Sequence, residues 1–340
     1  MCRHGGDMMK FLAERALILN QIRSHFNSRG FLEVETPLLV RSPGMEPTLE
    51  AFRTRFTPLG NAPSQDLYLP TSPEFHMKRL LADGYKRIYQ ITRAFRNEEL
   101  GPLHNPEFTI LEWYRADCGY EAIMEDCEVL VRDAADTTGG NSARRTIRRA
   151  DRVIDLDVPW ERLTVRDAWL HYTGIDLERA MDAEMLREAG QALQIPDLRP
   201  GDSWDVLYFK IFLARIEPNL GWDRPLILHE YPACMAALAR SKPDSPGVAL
   251  RFEIYIAGIE LGNAFDELTD ADEQLARFES AAAEKRLMGR EPFPVDEAFI
   301  DALRRGIPPS SGIAIGIDRL VMLLTGAQTI RDVMAFGFLE

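Results

Sequence analysis

The sequence has no paired cysteines, no histidine metal spacing and no long apolar run. Its four cysteines (Cys2, Cys118, Cys127, Cys234) include no CxxC pair. That argues against a disulfide framework and predicts a reduced, cytoplasmic setting. The six histidines include no HxxxH pair, which argues against a histidine-built metal site. No stretch approaches the roughly 18 apolar residues that a membrane helix needs. Met1 to Lys10 is polar and mixed in charge, unlike a signal peptide. Positive charge is in deficit, with a net charge of −13. A general polyanion binder is normally basic, because phosphate contacts supply most of its affinity. The deficit therefore points to small molecules or a protein partner. The Rossmann fingerprint and the Walker A lysine are missing as well.

What is present suffices for a large core: 340 residues, 46% of them hydrophobic. Residues 9–29 are expected to form a helix with Leu12, Leu19, Ile22 and Phe26 on one stripe and Gly30 at its stop. Phe31 to Val40 reads as extended, broken by Pro37. A second helix is predicted from Pro73, with Ser72 as N-cap and Gly84 beyond its end. Residues 87–96 and 107–115 read as strands. Residues 118–225 are acidic, rich in Ala and Leu, and expected to be mostly helical, with a helix start at Thr164 and Asp167. This stretch is taken as a helical insertion within one catalytic domain, with an independent helical domain as the alternative. Residues 251–261 suggest a hairpin turning near Ala257-Gly258. Thr269 is expected to open a long helix, and Ile313 to Ile317 a short strand entering a helix at Asp318. Hairpins mixed with helical blocks predict an α+β fold with a mainly antiparallel sheet.

Side chains alternate faces along a strand, so Phe108, Ile110, Glu112 and Tyr114 share one wall. A flat aromatic suits a base, and an acid beside a phenol suits an ammonium. If Glu112 is buried it needs a partner, which a bound cation, Arg115 or another arginine could provide. Arg96 and Glu98 also share a face. Arginine's planar fork suits phosphate, although short RxE patterns are common and, taken alone, this one reads as an Arg–Glu pair stabilising the loop. Glu260 and Glu267 flank Gly262-Asn263-Ala264, where two carboxylates could hold Mg²⁺ or simply form a solvated acidic loop. Gly312 to Arg319 is a glycine-bearing strand running into a helix. It either admits a ligand close to the backbone or is a buried strand that needs small residues.

In order and in combination these segments resemble the class II aminoacyl-tRNA synthetases. Gly30-Phe31-Leu32-Glu33-Val34-Glu35-Thr36-Pro37-Leu38 resembles motif 1, Phe95-Arg96-Asn97-Glu98 through Phe108 motif 2, and Gly312 to Arg319 motif 3. Thr71-Ser72-Pro73-Glu74, Asn105-Pro106-Glu107-Phe108 and Glu260 to Glu267 resemble the lysine branch. The resemblance implies one catalytic domain over residues 9–340 that binds ATP bent, with Mg²⁺. Arg96 would contact the α-phosphate and Arg319 the γ-phosphate. Asn97, Glu98, His104 and Asn105 would lie at the nucleotide, Phe108 would stack on adenine, Glu260 and Leu261 would border ATP, and Gly316 would leave it room. Glu260 and Glu267 would hold the metal. Ser72, Pro73, Glu74, Glu112, Tyr114, Glu267 and Ala314 would surround the amino acid. Motif 1 would build a homodimer.

Lysine-specific members that charge tRNA carry an anticodon-binding module before motif 1. With the first helix expected from residue 9, that module and anticodon recognition are expected to be absent. The truncated branch without it attaches (R)-β-lysine to a lysine side chain of elongation factor P. The resemblance thus implies lysine or (R)-β-lysine as substrate and elongation factor P as acceptor. Two positions depart from the tRNA-charging pattern, Ala314 and Ala264 standing where glycine is usual. The first would alter the pocket around the amino acid backbone. Other readings remain: a lysine-activating ligase with a different acceptor, a non-catalytic regulatory paralogue, or an asparagine synthetase of the same fold. Retention of Arg96, Arg319, Glu260 and Glu267 speaks against the second. Glu112-Trp113-Tyr114, better suited to an ammonium than a carboxylate, speaks against the third.

Overall fold

The structure, a computed structural model, describes residues 5–137, 145–180 and 182–338. Parts of the expected 9–340 domain and 118–225 insertion, at 138–144, 181 and 339–340, lie outside the described residues. The chain divides into two compact units, Met1–Asn141 with Asp266–Glu340, and Ser142–Phe265.

In the first unit, the strand Glu107–Ala116 lies between antiparallel neighbours Arg87–Phe95 and Ser310–Gly316. Leu32–Glu33 adds a short parallel edge to Arg87–Phe95. Within the expected extended segment 31–40, Leu32–Glu33 form this strand and Val40 a bridge to Tyr68, on either side of Pro37. One sheet face is covered by the first helix, Gly5–Ser28, whose fully buried row is Ile18, Ile22 and Phe26. The buried row thus runs through Ile18, while Leu12 and Leu19 of the expected stripe are half-buried. Phe26 stacks on Tyr89 at 4.5 Å and tilts against Trp113 at 5.2 Å. The helices Tyr120–Ala135 and Ile317–Thr325 belong to the same unit and pack against the first helix.

The opposite sheet face carries the residues expected to surround the amino acid. Direct cross-strand partners point to the same side. Gln90 faces Glu112, which faces Ala314, and Ile88 faces Tyr114, which faces Gly312. The helix Glu74–Ala82 packs against the strand Glu107–Ala116. Its Phe75 stacks on Phe299 of helix Glu297–Arg305 at 4.8 Å. Helix Ala271–Leu287 closes this cluster through Phe278. The helix 74–82 starts one residue later than expected: Pro73 is the cap residue, and the Glu74 N–H reaches back to Ser72 Oγ at 3.3 Å. Likewise Asp270, not Thr269, caps helix Ala271–Leu287 by accepting from the Asp272 and Glu273 amides. A carboxylate there meets the amides and the positive helix end together.

The second unit is built on antiparallel strands Ser245–Ile256, Ile259–Asp266 and Leu226–Pro232, with Glu161–Thr164 parallel to the last. The turn falls at Ala257-Gly258, with φ +55° and +70°. Two successive positive φ values give the tight hairpin turn whose twist matches the strands. Residues 118–225 contain the short strands Thr146–Arg149, Arg152–Asp155 and Glu161–Thr164 besides helices, so they are less helical than expected. Thr164 does cap the helix Val165–Thr173, accepting from the Asp167 amide at 3.0 Å. Among the described residues no helix is long and apolar enough to cross a membrane.

Candidate active site

Three buried or nearly buried carboxylates meet over the sheet of the first unit. Glu112 stands in the middle strand and accepts a hydrogen bond from the Tyr114 hydroxyl at 2.7 Å. Glu74 comes from the first turn of its helix, and Glu267 follows the strand end at Asp266. The Glu267 amide donates to the Ser310 carbonyl at 2.9 Å, which ties it to the neighbouring strand. Lys78 stands among them. Its ammonium lies 2.6 Å from Glu74 Oε1 and forms a short ion pair with Glu267.

The sequence reading missed Lys78, although a signal was there. It stands four residues after Glu74, where helical side chains meet, and in a row otherwise apolar: Phe75, Met77 and Leu81. Burial opposes its charge, but Glu267 and Glu74 outweigh burial and hold its pKa above the ordinary lysine value. Burial and the neighbouring acids act the other way on the carboxyls. Burial, then Glu74, raise Glu112 well above the usual range, against Tyr114 and Lys78. Burial pushes Glu267 up to about 8 despite the pull of Lys78. Arg115, a possible partner for Glu112, points to the other face and pairs with Asp126 at 3.0 Å.

One lysine does not satisfy three acids. Glu112 Oε2 and Glu267 Oε1 are buried with no hydrogen-bond partner. Leaving such groups unmet costs about 1–3 kcal/mol each, more when charged. Such orphans in a cluster of one sign ask for cationic donors.

Gly312 is required by this packing. A methyl there would sit 2.3 Å from the Tyr114 ring. Gly316 is different: the nearest atoms a methyl would meet belong to the Arg319 side chain, at 3.8 Å, an ordinary contact. Protein packing does not demand that second glycine. Ala314 is half-buried and directly opposite Glu112.

The anion-binding candidates occupy the other end of the same strands. The Arg96 guanidinium lies over the Phe108 ring, 5.2 Å from its centroid. Its Nε is buried without a partner, and its ion pair with Glu99 is loose at 3.8 Å. An arginine left this open fits an anion beside an aromatic plate. Arg319 donates to the Leu103 carbonyl at 3.2 Å and lies 2.8 Å from His104 Nε2. Burial, then Arg319, lower the His104 pKa, and because a guanidinium only donates, Nε2 is the acceptor in this contact. Asn105 is buried. It donates to the Glu107 carbonyl at 2.6 Å and accepts from the Phe338 amide at 3.1 Å.

Glu98 departs from the expected pairing with Arg96. The strand ends at Phe95, and Glu98 has φ +71°, so strand alternation no longer applies. Its carboxylate meets Arg290 at 3.0 Å. Glu98 and Arg290 line a cavity of about 330 Å³ with Glu50, Tyr68 and Phe293. Asn97 is exposed and bridged to Glu50 through its backbone. Glu260 and Leu261 lie on the strand Ile259–Asp266, in the second unit, Glu260 half-buried and Leu261 buried. Ala264 is fully buried opposite Phe252, and nothing in the structure explains the alanine there. Among the described residues no group of three or more His, Cys, Asp or Glu is placed to hold a metal. Mg²⁺ needs no such cage, because substrate phosphates supply much of its shell.

Residues 3–340 match the family described as tRNA synthetases class II (D, K and N). The chain is 42% identical over 326 residues to the elongation factor P–(R)-β-lysine ligase of Yersinia enterocolitica, covering 96% of this chain and 94% of that protein. The proteins of the same name from Pectobacterium atrosepticum and Vibrio atlanticus are each 40% identical, over 96% and 97% of this chain and 94% and 96% of their own.

Proposed function

Because the chain belongs to the tRNA synthetases class II (D, K and N), we propose that it activates (R)-β-lysine or lysine with ATP and transfers it to a lysine side chain of elongation factor P. It is an ATP-dependent ligase that forms an aminoacyl-adenylate. The observation that carries the substrate is the pair of orphaned oxygens, Glu112 Oε2 and Glu267 Oε1. Glu74, Glu112 and Glu267 against Lys78 leave two carboxylates uncompensated. The two ammonium groups of a diamino acid match that deficit.

The chemistry asks for no protein nucleophile. The substrate carboxylate attacks the α-phosphorus in line, forming the new C–O–P link as pyrophosphate leaves. The acceptor amine then attacks the carbonyl carbon, and AMP departs. Arg96 and Arg319 hold the phosphates and stabilise the charge that builds on them, and Phe108 supports the base. Ser72, Pro73, Glu74 and Tyr114 position the diamino acid, and Ala314 borders it. Asn97, Glu98, His104, Asn105, Leu261 and Gly316 border the nucleotide. Glu260 and Glu267 would hold Mg²⁺, which when bound would neutralise phosphate charge. The same proposal takes residues 9–340 as one cytoplasmic catalytic domain with 118–225 inserted. It also makes the protein a homodimer through motif 1, where exposed Leu32, Leu38 and Leu39 offer apolar surface.

The test is Arg96→Ala in ATP–pyrophosphate exchange with each lysine isomer. Loss of an electrostatic donor of this kind costs roughly 10²- to 10³-fold. Exchange at the wild-type rate would overturn the assignment of the phosphate site. Mass measurement of elongation factor P after incubation with each isomer tests the acceptor.

A further inference from the structure

Arg15 lies on the first helix, outside every segment that resembles a synthetase motif. Its side chain is 13% exposed, yet it reaches three elements of the first unit. Its Nη1 lies 2.7 Å from Asp318 Oδ1. Its Nη2 donates to Thr109 Oγ1 at 2.9 Å, and Nη1 reaches the Val333 carbonyl at 3.5 Å. Asp318 completes the ring, its Oδ2 accepting from the Thr109 amide at 2.8 Å. Asp318 is buried, and its two oxygens face one guanidinium and one backbone N–H.

The neighbours of this clamp matter. Thr109 follows Phe108, and Asp318 precedes Arg319. The clamp therefore joins the strand that carries the aromatic plate to the helix start that carries the phosphate arginine. It acts one residue from each, on the sheet face away from the ligand.

We propose that Arg15 is a positioning residue for the nucleotide. With Asp318 and Thr109 it sets the separation of Phe108 and Arg319, and so the width of the slot between them. This rests on the ATP site proposed above. Displacements of about 1 Å in groups that hold reacting atoms can cost on the order of 10²-fold in rate. Removing one partner of a buried ion pair leaves the other charge uncompensated, so the segment around Asp318 relaxes toward a new arrangement. The amino acid cluster is held by other bonds, Lys78 to Glu74 and Glu267 and Tyr114 to Glu112, and keeps its shape.

The experiment measures equilibrium binding of ATP and of the diamino acid separately, by calorimetry, on full-length protein. Arg15→Met is expected to weaken ATP by about 10- to 100-fold and the diamino acid by less than about 2-fold. Arg15→Lys, which keeps the charge but not the fork, is expected in between. The double variant Arg15→Met/Asp318→Asn is expected to bind ATP no worse than the poorer single variant, because partners in one network are not additive. Equal losses for both ligands would mean a general structural role and overturn the proposal, as would ATP binding unchanged in Arg15→Met. If Arg15→Met does not fold, Thr109→Val removes only the hydroxyl acceptor. It should weaken ATP by about 2- to 5-fold with diamino acid binding intact, and no change in ATP affinity overturns the proposal. Wild-type protein that fails to bind ATP would instead sink the nucleotide site itself, a separate result.

Discussion

Two buried glutamate clusters in this protein share their ingredients and differ in completeness. In the second unit, Glu253 Oε2 accepts from the hydroxyls of Tyr231 and Tyr255 at 2.5 and 2.6 Å, and Oε1 accepts from Arg251 at 2.6 Å. Arg251 in turn donates to the Met235 carbonyl and to Asn263. Each Glu253 oxygen is met. In the first unit, Glu112 has one tyrosine, Glu267 one lysine, and each keeps an unmet oxygen. A saturated network rigidifies a core, whereas an unsaturated one costs stability unless something else completes it. On the proposed function, the difference is that between a structural acid and one left to be completed by a bound cation.

Exchange of outcomes between the clusters is the severest test. Arg251→Met should leave Glu253 buried without its cation and cost about 3–5 kcal/mol of stability. Its remaining folded fraction should keep normal KM for the diamino acid. Glu267→Gln should do the reverse, with a smaller loss of stability than Arg251→Met because buried Lys78 keeps Glu74, and a loss in kcat/KM for the diamino acid of about 10²-fold or more, from the lost charge pairing. Thermal melts and steady-state kinetics on both variants decide it. A Glu267→Gln protein that melts like Arg251→Met, with KM unchanged, would abolish the distinction.

A smaller effect sharpens the comparison through pH. Burial and nearby acids raise the Glu112 carboxyl well above its ordinary value of 4.5. A raised folded value means the fold favours the protonated acid. Its contribution to stability is complete below the unfolded value and is lost as pH rises through the folded one. The empty protein should therefore lose stability from this group above about pH 4.5, and diamino acid binding should restore it while releasing a proton. Glu112→Gln, which cannot ionise, should flatten that slope, match wild-type stability near pH 8 or exceed it by about 1–2 kcal/mol, and bind substrate with less proton release. Melts across pH, with and without substrate, and calorimetry in buffers of different ionisation enthalpy measure both parts. A Tm slope identical in wild type and Glu112→Gln would refute Glu112 as the source of the pH dependence.

Local rules made the hairpin at Ala257-Gly258, the Thr164 cap and the alternation along Glu107–Ala116 legible, because each depends on a few adjacent residues. That alternation also placed Glu112 and Tyr114 on one wall. Gln90 and Ala314 joined them only through strand register, which sequence does not carry. Lys78 escaped because a lysine in an apolar helical row looks like a snorkelling surface residue until its helix is docked on Glu267. Arg290 and Arg15 escaped because their partners, Glu98 and Asp318, are far away in sequence. Glu98 was misjudged because its φ of +71° breaks the alternation assumed for it. Pairings set by tertiary docking leave no periodic trace.

Ala314 gives the smallest and most selective test. Its methyl lies on the site face, in register with Glu112 and between Gly312 and Gly316 along one strand. A β-amino acid carries its amino group one carbon further from the carboxylate than an α-amino acid does. A single methyl beside that position shifts the room available near the substrate backbone without touching the charges of Glu112 or Glu267. One methyl group in a pocket discriminates by about 10-fold at the low end of its range. Ala314→Gly should therefore raise kcat/KM for α-lysine relative to (R)-β-lysine by up to about 10-fold, with ATP binding unchanged. An unchanged ratio would take the selection away from the methyl and return it to the acids, since Glu112 and Glu267 would then be the groups left to sense where the ammonium sits.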